Sequence, residues 1–196
     1  MLKKIFIVVV ITSIFGACTV SEKAEHQDNP FFVEYNTPYG IPPFELIEPG
    51  HFMPAFEAAL KENKDEIDAI VNQKAEADFA NTIEAFERSG EMLDKVSSVF
   101  YNLNSSLTSD TMQAIARELS PMMSRHSDDI MLNPQLFARI KAVHDNANDL
   151  SLNAEQQMLL EKMYKRFVRS GALLDQTAQD QLRKINEELS MRSLQF

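Results

Sequence analysis

Basic residues, glycine, cysteine and tryptophan are all scarce in this chain, and each scarcity removes a class of answers. Nineteen Lys and Arg stand against 29 Asp and Glu, a formal charge of -10, and no basic cluster survives beyond the first few residues. A nucleic-acid backbone would find no electrostatic footprint, so nucleic acid is not an expected partner. Five glycines and no tryptophan, beside plentiful Ala, Glu, Gln, Leu, Met and Lys, favour helix over sheet. The single cysteine, Cys18, excludes an internal disulfide. Long hydrophobic runs are missing too. The one apolar stretch of note, Ile5 to Val10 with Ile11, Ile14 and Phe15, falls short of the ~20 residues a membrane-spanning helix needs. What remains is 196 residues, 44% of them hydrophobic, enough for one globular domain of all-α class.

The first 17 residues have the layout of a signal peptide: Lys3 and Lys4, then the apolar run, then small Gly16 and Ala17 ahead of Cys18. Phe15-Gly16-Ala17-Cys18 resembles the bacterial lipobox, apart from Phe15 where Leu is usual, and implies a Cys18 that is diacylated on sulfur after cleavage. An ordinary secretory signal ending in a structural cysteine is the alternative. Residues 18–30, polar from Thr19 onward, read as a flexible tether to a folded part at 31–196. Losing Lys3 and Lys4 with the leader moves the formal charge from -10 to -12. Function is therefore expected in the cell envelope, lipid-anchored at the outer membrane or periplasmic face.

Asn29 to Gly50 carries five prolines, which exclude a helix of any length. The run Pro42-Pro43-Phe44-Glu45-Leu46-Ile47-Glu48-Pro49-Gly50-His51-Phe52-Met53-Pro54 is expected to stay extended, laying Phe44, Ile47 and Phe52 on a core. About six amphipathic, mostly antiparallel helices follow. The first spans about Met53 to Gln73 and presents Phe52, Phe56, Leu60, Ile67, Ile70 and Val71 on one face. The second opens at Asn81 or Thr82 and carries Ile83, Phe86, Gly90, Leu93, Val96, Phe100 and Leu103 at heptad-like spacing, with a boundary at Ser89-Gly90 as the alternative. Ser109 or Asp110 opens the third, which bears Met112, Ile115, Leu119, Met122 and Ile130 and is expected to kink at Pro121. Asn133-Pro134 caps the fourth, with Leu136, Phe137, Ile140 and Val143. The fifth, from Ser151 or Asn153, turns Met158, Leu159, Met163, Phe167 and Val168 inward and closes at Ser170-Gly171. Thr177 opens the sixth, spaced from Asp180 as in a capping box, which buries Leu182, Ile185, Leu189 and Leu194 and meets no stop signal before Phe196.

Candidate chemistry is thin. The histidines are His26, His51, His126 and His144; none is followed by Glu, and none has a second His three or four residues away. His51 at the mouth of a helix reads as a structural hydrogen-bond partner, and His126 and His144 as structural or surface residues on helices. Asp128-Asp129 has the look of a cation pair, but neighbouring residues on a helix diverge by roughly 100°, which favours a solvated surface. Ten methionines at helical spacing read as core filler, with an adaptable peptide-binding surface as the alternative. No Ser-His-Asp or Cys-His set is arguable.

The run from Pro42 to Phe56 and four collinear blocks, Asp78 to Gly90, Phe100 to Ser105, Leu159 to Ala172 and Ile185 to Ser190, resemble the N-terminal regions of the zinc oligopeptidases. That family includes peptidyl-dipeptidase (dipeptidyl carboxypeptidase), oligopeptidase A and thimet oligopeptidase, and the resemblance is nearest to the peptidyl-dipeptidase branch. It implies the N-terminal portion of a larger, almost wholly helical peptidase whose two halves face a deep channel, with zinc held in the C-terminal half. Such an enzyme needs His-Glu-x-x-His: two imidazoles a turn apart for the metal and a Glu to take a proton from its water. The motif is absent from these 196 residues. No catalytic or metal-binding residue is therefore expected in this chain, no cofactor of its own beyond the zinc implied for the full-length family, and short peptides as partners only together with the missing C-terminal half. On this reading the chain is truncated within a helix and inactive alone. The competing expectation is a stand-alone, lipid-anchored helical module that binds a peptide or a partner.

Overall fold

The computed structural model describes residues 29–195. The leader, Cys18, His26, nearly all of the tether and Phe196 lie outside the described residues. Among those described the secondary structure is all helical: short 3-10 turns followed by six longer helices, α1 (Phe52–Asn72), α2 (Glu91–Ser106), α3 (Asp110–Met131), α4 (Pro134–Asp145), α5 (Ala154–Arg169) and α6 (Gln176–Arg192). None is long and apolar enough to cross a membrane.

The proline-rich run is not simply extended. It winds through 3-10 turns at Phe44–Leu46, with Pro43 as the N-cap, and at Pro49–His51, where a proline in the first turn supplies the right φ while giving up a donor that had no partner there. Phe52 is buried and Ile47 packs on the core, but Phe44 is exposed, contrary to expectation. The whole segment is strapped down from both ends. Asn29 donates from Nδ2 to the His51 carbonyl at 2.8 Å, and Lys95 Nζ donates to the carbonyls of Phe31 (3.0 Å) and Val33 (2.9 Å) while lying 4.1 Å over the Tyr35 ring.

Two hydrophobic cores sit end to end, and α1 and α3 contribute to both. The first core gathers Phe31, Phe52, Phe56, Val96, Phe100, Met112 and Leu119, with Phe52 and Phe56 edge-on to Phe100 at 5.1 and 5.6 Å. Ile67, Ile70, Ile83, Met131, Leu136, Ile140, Leu160 and Phe167 form the second. Where α1 passes from one to the other it presents Asn63 instead of an apolar residue, and α3 presents His126.

The local caps follow from side chains that accept backbone N–H groups two or three residues on. Ser109 caps α3, Asn133 caps α4, and Asn153 caps α5 with a reciprocal bond from Gln156. Four expectations are corrected. The segment after α1 is capped by Asp78, not by Asn81 or Thr82, and begins as a π-helical turn, Phe79–Glu84, before one α-turn, Ala85–Glu87. Gly90 then adopts φ +83°, in the left-handed region that a residue with a Cβ enters at a cost, and so breaks the continuous second helix into two. Met158 faces outward, while Leu160 takes the buried position. Finally Asp175, not Thr177, caps α6. α3 runs on unbroken through Pro121, which lies in its interior.

The largest departure is the face that α6 buries. Ile185 and Leu189, expected in the core, are 60% and 59% exposed, and Leu194 is exposed as well. α6 packs on α3 through its polar side instead: Arg183 pairs with Asp129 at 2.6 Å, Glu187 with Arg125 at 2.7 Å, Asn186 donates to Asp128 at 2.8 Å, and Ser120 donates to the Ser190 carbonyl.

Candidate functional site

Polar groups gather at three places. The first is the seam between the two cores. His126 Nε2 lies 2.8 Å from Asn63 Oδ1, Asn63 Nδ2 donates to Glu66 Oε2 at 3.3 Å, and the Gly90 N–H donates to the same carboxylate oxygen at 2.7 Å. Since the Asn63 amide spends its donor on Glu66, its oxygen must accept from His126, which fixes the Nε2–H tautomer. Burial pushes the imidazole below the ordinary histidine range, against a smaller upward pull from Asp129. A Cβ on residue 90 would come within 3.2 Å of Asn63 Nδ2, so glycine is needed there for both space and conformation. The seam opens on a cleft of 310 Å³ that Ser89, Ser127 and Arg166 help to line.

At the far end of the second core, His144 stacks on Tyr164 with ring centroids 3.9 Å apart, and its Nε2 lies 3.0 Å from Glu161 Oε2. Lys165 first, and His144 second, hold the Glu161 carboxyl below the usual carboxylate range. The pair borders a cleft of 620 Å³ with Leu150, Gln157 and Met158 on its walls. An imidazole backed by a carboxylate is half of a nucleophile-activating set, but the cleft's lining includes no Ser, Thr or Cys to activate. The arrangement ties α4 to α5.

The third place is the contact of α3 with α6. Asp128 and Asp129 were expected on a solvated surface, and only Asp129 meets that description. Asp128 is 7% exposed, and its burial raises the carboxyl's pKa, against downward pulls from the Asn186 hydrogen bond and the Arg183 charge. A helix laid across α3 from 58 residues away removed the water.

Among the described residues no side-chain cluster fits zinc. A zinc site draws three or four His, Cys, Asp or Glu donors to about 2.0–2.3 Å from one point, and among the described residues no three such groups converge. His51 Nδ1 accepts the Glu48 N–H at 3.0 Å, as the sequence led us to expect, and His126 and His144 are held on separate partners. The sequence reading missed Asn63, although a signal was present: a polar residue in the middle of the apolar stripe of α1.

No protein-family model matches the chain. Individual proteins do. Over 168 residues it is 38% identical to dipeptidyl carboxypeptidase of Escherichia coli and 36% identical to that of Salmonella typhimurium, covering 86% of this chain and 25% of each relative. Over 160 residues it is 24% identical to Escherichia coli oligopeptidase A, covering 82% of this chain and 24% of that protein. The chain thus spans about a quarter of the length of the curated relatives it matches.

Proposed function

We propose that this chain, which belongs as an N-terminal part to the peptidase family of dipeptidyl carboxypeptidase and oligopeptidase A, serves as the channel-wall portion of a zinc-dependent peptidyl-dipeptidase acting on short peptides. The observation that carries this reading is the 38% identity to dipeptidyl carboxypeptidase across 86% of the chain. In this reading His-Glu-x-x-His is supplied by polypeptide outside these 196 residues, and the described helices are scaffold. The clefts at Arg166 and at His144 then serve packing and the shaping of the wall, and the chain alone releases no dipeptides. Higher identity to dipeptidyl carboxypeptidase than to oligopeptidase A favours the dipeptide-releasing branch.

The test is a hybrid enzyme. The stretch of Escherichia coli dipeptidyl carboxypeptidase that aligns with this chain is replaced by this chain's residues, and dipeptide release from a short peptide is followed with and without zinc. Zinc-dependent release is expected; a folded, zinc-loaded hybrid that releases nothing overturns the proposal. A second part of the proposal, supported by the lipobox-like Phe15-Gly16-Ala17-Cys18 of the leader, is a lipid on Cys18 that anchors the protein at the cell envelope. Incorporation of labelled palmitate, lost in Cys18→Ser, is the expected result, and equal labelling of the variant would contradict it.

A further inference from the structure

An amphipathic helix normally turns its apolar face inward, because burying each Leu or Ile side chain takes apolar surface out of water. α6 does so only along its first half. Its docked side is Gln179, Arg183, Asn186, Glu187 and Ser190, and its apolar stripe is Ala178, Leu182, Ile185 and Leu189. The stripe repeats at intervals of four, three and four, which is the a and d spacing of a helix-to-helix seam, and it lies roughly 100° around the helix from the docked side. Its first half is tucked in: Leu182 sits so close to Gly171 that a Cβ there would come within 2.8 Å of Leu182 Cδ2. Its second half, Ile185 and Leu189, is open. The Glu188–Arg192 ion pair at 2.6 Å runs along the outer edge of the open half, as flanking charges do beside such seams.

Two features say what covers it. The knobs have the a and d spacing of a helix-to-helix seam and the described elements are all helical, so another helix is the surface they suit. The curated relatives also carry about three times as much further sequence as this chain matches. We infer that Ile185 and Leu189 form a seam for an amphipathic helix from polypeptide equivalent to the unmatched part of dipeptidyl carboxypeptidase, making α6 the joint between the described helices and the rest of the enzyme. This inference rests on the reading of the chain as part of such an enzyme.

The test compares one double variant, Ile185→Ser with Leu189→Ser, in two settings: the 196-residue chain and the hybrid enzyme. In the chain by itself both side chains are in water, so the melting temperature stays within about a degree of the parent or rises slightly. In the hybrid the variant shortens the half-life of activity at elevated temperature about tenfold or more, as loss of two buried knobs requires. Equal behaviour of parent and variant in the hybrid overturns the inference while leaving the family reading intact. A parent hybrid that folds, binds zinc and releases no dipeptide overturns the family reading and this inference with it. Dimerisation of the chain through Ile185 and Leu189, abolished by the variant and accompanied by an unchanged hybrid, assigns the seam to a second copy and also overturns the inference.

Discussion

α1 and α6 are both amphipathic, yet α1 carries the most buried residues of any described helix and α6 is laid on with half of its apolar stripe open. α1 sends Phe52, Ala55, Phe56 and Ala59 into one core and Ile67 and Ile70 into the other. α6 has one buried residue, Gln179, whose amide donates to the Gly171 carbonyl. Periodicity says that a face will be covered. It does not say by what, and α6 holds its place through ion pairs and hydrogen bonds that individually contribute little where exposed.

The contrast is open to direct attack. Phe56→Ala, which empties a fully buried position edge-on to Phe100, is expected to cost about 3–5 kcal/mol in denaturant unfolding, the largest single effect. Asn186→Ala on the docked side of α6 leaves the buried Asp128 carboxylate short of a donor and should cost about 1–3 kcal/mol; a cost near that of Phe56→Ala would erase the distinction between the two helices. Between the cores, the depressed pKa of His126 means the unfolded chain takes up a proton first. Its contribution is whole above the ordinary value of 6.5 and is lost as pH falls below it. Asp128 works in the other direction: its pKa is raised, so its burial penalty is relieved as pH falls towards 3.8. Melting should therefore fall between about pH 7.5 and 5.5, and His126→Gln, which keeps a donor to Asn63, should flatten that slope. The smallest effect belongs to Leu189→Ser alone, within about 0.5 kcal/mol in the isolated chain.

The sequence disclosed what is decided locally. The cap at Asn133 was legible, and those at Ser109 and Asn153 were legible to within Ser109 or Asp110 and Ser151 or Asn153, because each side chain reaches only two or three residues along the chain. So was the close of α5 at Gly171, where φ is +100°. Less legible was Asp78, since Asn81 and Thr82 offered equally good oxygens and Asn81 in fact returns a bond to the Asp78 N–H. The polar seam was hidden because Asn63 and His126 meet across 63 residues, and no local pattern couples them. Asp128 failed for the same reason: it shares a helix with exposed Asp129, and its burial depends on α6. The family resemblance was readable in five blocks, and the 38% identity to dipeptidyl carboxypeptidase agrees with it.

The most direct test of the account is a peptidase assay on the 196-residue chain itself. Incubated with a short peptide and saturating zinc, it should release no dipeptide above the rate in chelator, because His51, His126 and His144 are held apart on separate partners. Release that rises with zinc and vanishes with chelator would place a metal centre in this chain and contradict the reading of these helices as scaffold.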